Sequence, residues 1–335
     1  MLQLGIVGCG RVTTMFHLKA IEEVEGVALV AVADRNRPRM ERVKEKSHAE
    51  RGYVDYRDLV SDPEVDVVVI NTPPHLHEEM VLRSLRAGKH VLCEKPLARS
   101  VEGCLHIKGL QEEAGLVVLP GHNYAFTPSL ERVQALIREG AIGEVARISV
   151  RFENNLRRYG SKSDFRLRTD FGIVEDVLPH ILSVTHPLAG VAEKVVELEG
   201  WRESYDVVDN MRLRLRTDRG VELDCFMSWT RLIPRFRVEV AGTSGRVETD
   251  LMRSPFGVTI DSGGGRRRIA ERRGLRLYLD LLRFKHPSFQ RQYRHLRAIV
   301  AGVEEPRITV DDEAEMIGTM ERVAEHLSET VISKP

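Results

Sequence analysis

The chain has 335 residues, 42% of them hydrophobic and 30% charged, with 50 Lys and Arg balancing 50 Asp and Glu. That length suits two domains with a core each, and the neutral balance argues against nucleic acid as a partner. Cys9, Cys93, Cys104 and Cys225 lack C-x-x-C spacing, no run nears about 18 apolar residues, and a basic-then-apolar leader is missing; a cytoplasmic protein with reduced thiols and no membrane span is expected. Along the chain, Leu2–Val7 is an apolar run ending in glycines, and Phe16, Ala20 and Val24 follow at helical spacing. Further apolar runs lie at Val27–Ala33 and at residues 65–70, 90–93 and 116–119, with helical patterns near 76–87 and 100–114. Runs that are apolar on both faces, separated by helices, predict a doubly wound parallel sheet, an α/β Rossmann domain over residues 1–122.

After residue 140 the period changes from 3.6 to 2. Apolar and charged residues alternate over 211–216 and 221–227, around the turn Thr217-Asp218-Arg219-Gly220. This hairpin would set Arg216 against Glu222 and Arg214 against Asp224, with Leu213, Leu215, Leu223 and Cys225 on the opposite face. A second hairpin turns at residues 242–245, and Gly-rich 262–268 reads as another hairpin tip. Residues 123–335 are therefore expected to form an α+β domain with a large, mostly antiparallel open sheet.

Four clusters carry chemistry. Gly8-Cys9-Gly10-Arg11-Val12-Thr13 follows the first strand and opens the first helix, a turn that brings a pyrophosphate to backbone amides. Asp34 ends the second strand, where a carboxylate meets ribose hydroxyls, with Arg35 beside it. Asn71-Thr72-Pro73-Pro74-His75-Leu76-His77 lies at the carboxyl end of another strand and is a candidate cofactor wall. A metal held by His75, His77 and His122 is rejected, because no Cys or H-E-x-x-H pattern supports it. Cys93-Glu94-Lys95-Pro96 ends the next strand, and its lysine can stabilise charge on a substrate oxygen. Asp176 and His180, four apart on a helix, can point a carboxylate and an imidazole into one cleft.

In this order and spacing the clusters resemble the Gfo/Idh/MocA family of NAD(P)-dependent oxidoreductases. The stretch from Ala87 to Ala98, containing Glu94-Lys95-Pro96, is close to the family signature. Residues 121–126, Gly140-Ala141-Ile142-Gly143-Glu144-Val145 and Gly242-Thr243-Ser244-Gly245 resemble later family segments. The resemblance implies hydride transfer at a hydroxyl carbon of a sugar, cyclitol or nucleotide-linked sugar, with NAD as cofactor and NADP possible. It implies Lys95, Asp176 and His180 as catalytic residues. Gly8, Gly10, Arg11, Val12, Asp34, Arg35, Asn71, Thr72, Pro73, His75, His77, Glu94 and Lys95 would line the cofactor, and Asn123 and Tyr124 would join the substrate side. It also implies a homodimer or homotetramer using the open sheet face. Ala125 stands where relatives often have arginine, and Asp170-Phe171-Gly172 where a Gly-Gly run is usual; both bear on substrate identity.

Residues 266–297 are rich in Arg and Lys, with Tyr278, Phe284 and Phe289 interleaved, and residues 304–329 are acidic. Paired or solvated faces are the simpler account; steering of a phosphorylated substrate such as a nucleotide sugar is the sharper one. The expected function is oxidation or reduction of a sugar, a nucleotide-linked one above all. An NAD-dependent glycoside hydrolase and a non-enzymatic dinucleotide or sugar sensor are the alternatives, and a sensor would be expected to lack Lys95 or His180.

Overall fold

Six short strands, β1 (Leu2–Val7), β2 (Val27–Ala33), β3 (Arg51–Tyr53), β4 (Val67–Ile70), β5 (His90–Glu94) and β6 (Val118–Gly121), pair in parallel in the order β3-β2-β1-β4-β5-β6. They belong to a computed structural model that describes residues 1–159, 165–270, 279–281 and 283–330. The β4 run Val67–Ile70 is wholly buried, as strands covered on both faces must be. Helices α2 (Arg37–Ser47), α3 (Tyr56–Val60), α4 (His77–Arg86) and α5 (Val101–Ala114) connect the strands. Asn36 and Ser100 cap α2 and α5 by accepting the Arg39 and Gly103 amides, as short polar side chains at helix starts do. The first crossover is a π-helical turn, Thr13–His17, continued by α1 (Leu18–Ile21).

The chain divides into two compact units, and the first comprises the described residues of Met1–Asn123 and Leu282–Ile317. The return of the C-terminal segment to this unit is not visible in a division of the sequence near residue 122. The returning segment brings helix α8 (Pro287–Val300) and the start of α9 (Val310–Thr330). Val310 and Ile317 enter the same apolar core as Val68, Ile70 and Leu97. Phe289 stacks on Phe16 with ring centroids 5.0 Å apart, and Phe284 meets the same ring edge-on. Phe284 and Phe289 of the basic stretch are thus used in packing. Three of its cations are also engaged: Lys285 on Glu23, Arg297 on the Glu25 carbonyl and Arg266 on Glu248. Arg272, Arg273 and Tyr278 lie outside the described residues.

The second unit comprises the described residues of Tyr124–Leu281 and Gly318–Pro335. It contains α6 (Pro128–Arg138), α7 (Ile173–Ala189) and eight strands: β7 (Val145–Asn155), β8 (Ala192–Trp201), β9 (Asn210–Thr217), β10 (Glu222–Ser228), β11 (Thr230–Gly242), β12 (Gly245–Asp250), β13 (Gly257–Ser262) and β14 (Gly265–Ala270). The sheet runs β14-β13-β12-β11-β7-β10-β9-β8, and every neighbouring pair is antiparallel except β7–β10. Arg216 pairs with Glu222 and Arg214 with Asp224, the register that the alternation predicts. Leu213, Leu215, Leu223 and Cys225 are buried on the core face, where α7 packs. On the other face, ion pairs run across strands from Arg147 to Glu222 to Arg214 to Glu197. The expected two-part architecture is what the structure shows.

Candidate active site

The carboxyl ends of the parallel strands carry, across the sheet, Asp34 after β2, Gly8 after β1, Asn71 after β4, Lys95 after β5 and His122 after β6. The chain winds outward in opposite directions from β1 and β4, and ligands of open α/β sheets bind at such a switch point. Gly8 has φ +96°, and a Cβ there would sit 2.6 Å from the Asn71 carbonyl oxygen. A Cβ on Gly10, by contrast, would meet nothing within 4 Å. Thr13, in the place of the fingerprint's third glycine, is buried and donates its hydroxyl to the Gly8 carbonyl at 2.5 Å. The same hydroxyl accepts the Asn71 side-chain amide at 3.0 Å, so Thr13 ties the β1 turn to the end of β4.

Asp34 is buried at the end of β2, with its carboxylate on the Cys9 and Asn36 amides and Arg39 at 3.5 Å. Arg11, Arg35, Pro73 and His75 are exposed, Val12 is half-buried, and the Thr72 hydroxyl points to the Met80 sulfur. The open space at Gly10, the amides that follow it and the Asp34 carboxylate fit a dinucleotide: pyrophosphate against the turn, ribose hydroxyls at Asp34.

Three residues read as ligand contacts have other uses. His77 is buried, with Nδ1 2.7 Å from the Pro96 carbonyl oxygen and Nε2 2.8 Å from that of Thr72. Its ring holds two backbone segments together. Burial pushes its pKa down, while those carbonyls and the charges of Glu94 and Glu313 act the other way. Glu94 has Oε1 3.1 Å from His17 Nε2, and His17 Nδ1 is 2.7 Å from the Tyr293 hydroxyl. Asn123 donates its side-chain amide to Ser288 Oγ at 3.0 Å and anchors α8.

Sequence reasoning missed Glu313, at the start of α9. It is 1% exposed, accepts the Leu97 amide at 2.9 Å and pairs with the fully buried His122. Burial alone would raise the pKa of Glu94 and of Glu313. Their paired histidines, with the Lys95 charge, more than offset it and leave both below the usual carboxylate range. Nothing in the local pattern around residue 313 announces this, because its partners are fixed only when the C-terminal segment returns to the first unit.

In the second unit, Asp176 and His180 both lie on α7, as their spacing predicts. Arg166 Nη1 is 3.7 Å from Asp176 Oδ2. The His180 ring stacks flat on Phe152 at 5.7 Å and meets Tyr124 edge-on at 5.2 Å. An imidazole clamped between two rings has little freedom to turn, which suits a group that must present one nitrogen repeatedly. Arg166 and Phe152 are further residues that the sequence does not flag.

The switch point between β1 and β4, the glycine turn and the carboxylate at the end of β2 are those of an NAD(P)-dependent oxidoreductase with a Rossmann domain. Residues 2–122 match the model of an oxidoreductase family with an NAD-binding Rossmann fold, and residues 130–248 match the GFO/IDH/MocA C-terminal domain. The chain belongs to this Gfo/Idh/MocA family. It is 26% identical over 323 residues to a myo-inositol 2-dehydrogenase of Thermotoga maritima, covering 93% of this chain and 92% of that one. Its fold is similar to that of a 3-ketoreductase from Actinomadura kijaniata solved with NADP and TDP-benzene (TM-score 0.82, 23% identity, 97% of each chain). It is also similar to an Agrobacterium radiobacter oxidoreductase solved with NAD+, L-tartaric acid and magnesium (TM-score 0.84, 20% identity, 97% of this chain and 96% of that one). Among the described residues, no group of three or more His, Cys, Asp or Glu is placed to hold a metal ion. Nor is any described helix long and apolar enough to cross a membrane.

Proposed function

We propose that the protein moves a hydride at a secondary hydroxyl carbon of a cyclitol or sugar, with Lys95, His180 and Asp176 as its catalytic residues. The observation that carries this reading is the placement of Lys95 at the carboxyl end of β5, two strand ends from the glycine turn of β1. A bound nicotinamide supplies the hydride acceptor or donor. Lys95 would hydrogen-bond the reacting oxygen and stabilise its developing negative charge. His180 would take the hydroxyl proton in oxidation and return it in reduction. Asp176, braced by Arg166, would orient substrate hydroxyls or the imidazole.

A free polyol is favoured over a nucleotide-linked sugar, because Arg266, Lys285 and Arg297 are already engaged within the protein. The near full-length likeness to a myo-inositol 2-dehydrogenase supports the same choice. The test is NADH formation with myo-inositol, scyllo-inositol, glucose and UDP-glucose, alongside p-nitrophenyl glycosides. Turnover of a polyol that disappears in Lys95→Ala supports the reading. Glycoside cleavage without net NADH would instead identify a hydrolase, and cofactor binding without turnover of any compound would favour a sensor.

A further inference from the structure

The groups on either side of Lys95 are each held by a buried polar side chain, and each holder comes from a different part of the first unit. On the preceding side, Glu94 is paired with His17 from the π-helical turn, and His17 is held in turn by Tyr293 of α8. On the following side, the Pro96 carbonyl oxygen lies against His77 at the start of α4. One residue further, the Leu97 amide donates to Glu313 of α9, across 216 positions of sequence, and His122 secures that carboxylate from β6's end. His17, His77, His122, Tyr293 and Glu313 are each at most 1% exposed.

Burying a carboxylate and three imidazoles costs free energy that apolar residues of the same size would not. A parallel sheet needs none of them at this edge. They converge on residues 94–97, and within that stretch Lys95 is the side chain with a chemical task. The Lys95 charge also acts on both Glu94 and Glu313, so the two carboxylates lie within electrostatic reach of its amine.

We propose that His17, His77 and Glu313 are positioning residues for Lys95, fixing the backbone of residues 94–97 so that the amine is delivered to one place. This rests on the reading of Lys95 as the donor to the substrate oxygen. The C-terminal helix thereby takes part in catalysis through a hydrogen bond to the loop and without touching substrate. A small displacement of a catalytic group lowers rate by as much as about 10²-fold, so the clamp should be seen in kcat rather than in cofactor affinity.

The experiment compares Glu313→Ala, Glu313→Gln, His77→Ala and Lys95→Ala with the parent. Amide exchange at Leu97 and the rate of Lys95 labelling by trinitrobenzenesulfonate, both read by mass spectrometry, need no substrate. Turnover with the best polyol is divided by the number of NADH-binding sites, which removes unfolded protein from the comparison. In Glu313→Ala, Leu97 should lose protection, Lys95 should label faster than in the parent, and kcat should fall up to about 10²-fold with KM for NAD little changed. Glu313→Gln keeps an acceptor oxygen for the Leu97 amide and should recover most of kcat. His77→Ala, which frees only the Pro96 side, should repeat the loss of kcat and decides the matter if Glu313→Ala does not fold. Parent-like kcat per binding site and unchanged Lys95 labelling in both alanine variants would overturn the clamp. Parent-like turnover in Lys95→Ala would overturn the catalytic reading itself, whereas its collapse beside normal clamp variants removes the clamp alone.

Discussion

The carboxylate of Asp34 accepts the backbone amide of Cys9 at 2.9 Å, so the acid that ends β2 holds the glycine turn that ends β1. Its other oxygen accepts the Asn36 amide at 2.8 Å, which fixes the rotamer before any cofactor arrives. A fixed carboxylate here would accept ribose hydroxyls and repel a 2′-phosphate, while Arg39 at 3.5 Å would soften that repulsion. NAD should therefore bind more tightly than NADP. Asp34→Ser should weaken NAD about tenfold, or about 1.4 kcal/mol, and narrow the gap to NADP. Fluorescence titration of both reduced cofactors checks this; tighter NADP binding by the parent would show that Asp34 does not select.

Gly8 and Gly10 separate folding from binding. Alanine at Gly8 would carry a positive φ and press its Cβ against the Asn71 carbonyl at 2.6 Å, so Gly8→Ala should lose stability by about 1–3 kcal/mol. Alanine at Gly10 meets no protein atom within 4 Å, so Gly10→Ala should melt within about 0.5 kcal/mol of the parent yet bind NAD at least tenfold more weakly. Thermal unfolding with and without NAD measures both. Parent-like affinity in Gly10→Ala would move the pyrophosphate elsewhere.

Glu94 and Glu313 give the first unit a predictable acid limb. Each has a folded pKa below its ordinary value of 4.5, so the stability each contributes is complete above that pH and is lost as pH falls through the folded value. Glu94→Gln should flatten the decline of stability below pH 4.5, by up to about 1.4 kcal/mol per pH unit for the proton no longer taken up. Urea unfolding between pH 3 and 7 reads the slope, and an unchanged slope would place the linkage in other groups.

The open face of the large sheet is where a second copy is expected to dock. Arg214 bridges Glu222 and Glu197, and Arg212 pairs with Glu199, so these charges are matched within one chain. Covering such ladders costs desolvation that only polar contacts from the partner offset, which makes the assembly salt-sensitive. Light scattering should find a dimer or tetramer at low salt that loosens as salt rises. A strict monomer at low salt removes the interface.

What was legible in the sequence follows from the range of the interactions. Arg216 opposite Glu222 could be read because a turn and a period of two determine register locally. The positions of Asp34 and Lys95 at strand ends could be read because apolar runs stop there. The parallel β7–β10 pairing could not, since the two strands are separated by α7 and two further strands. Glu313 looked like one acid among Asp311 and Asp312 in a helix start. His77, Glu94 and Asn123 were found as polar residues at the right strand ends, but which polar residues face ligand and which face protein depends on partners far along the chain.

The chemistry is decided by Lys95→Ala and His180→Ala. If both groups act on one substrate oxygen, each matters mainly in the transition state, where the charge on that oxygen changes. Loss of a positioned general acid–base costs roughly 10²–10⁴-fold in rate, and loss of an oxyanion-stabilising donor roughly 10²–10³-fold. The adenosine half of the cofactor is expected to rest on Gly8, Gly10 and Asp34, so NAD affinity should stay within a few-fold of the parent in both variants. The double variant should lose less than the product of the single losses, because groups that act as a unit are not additive. Phe152→Ala offers a control from the second unit: it removes the ring on which His180 stacks, and should lower kcat less than His180→Ala does. Stopped-flow hydride transfer with the best polyol, beside NAD titration, measures all of these. Near-normal turnover in His180→Ala would make the imidazole a packing group between Tyr124 and Phe152, and the proton would have to leave by another residue.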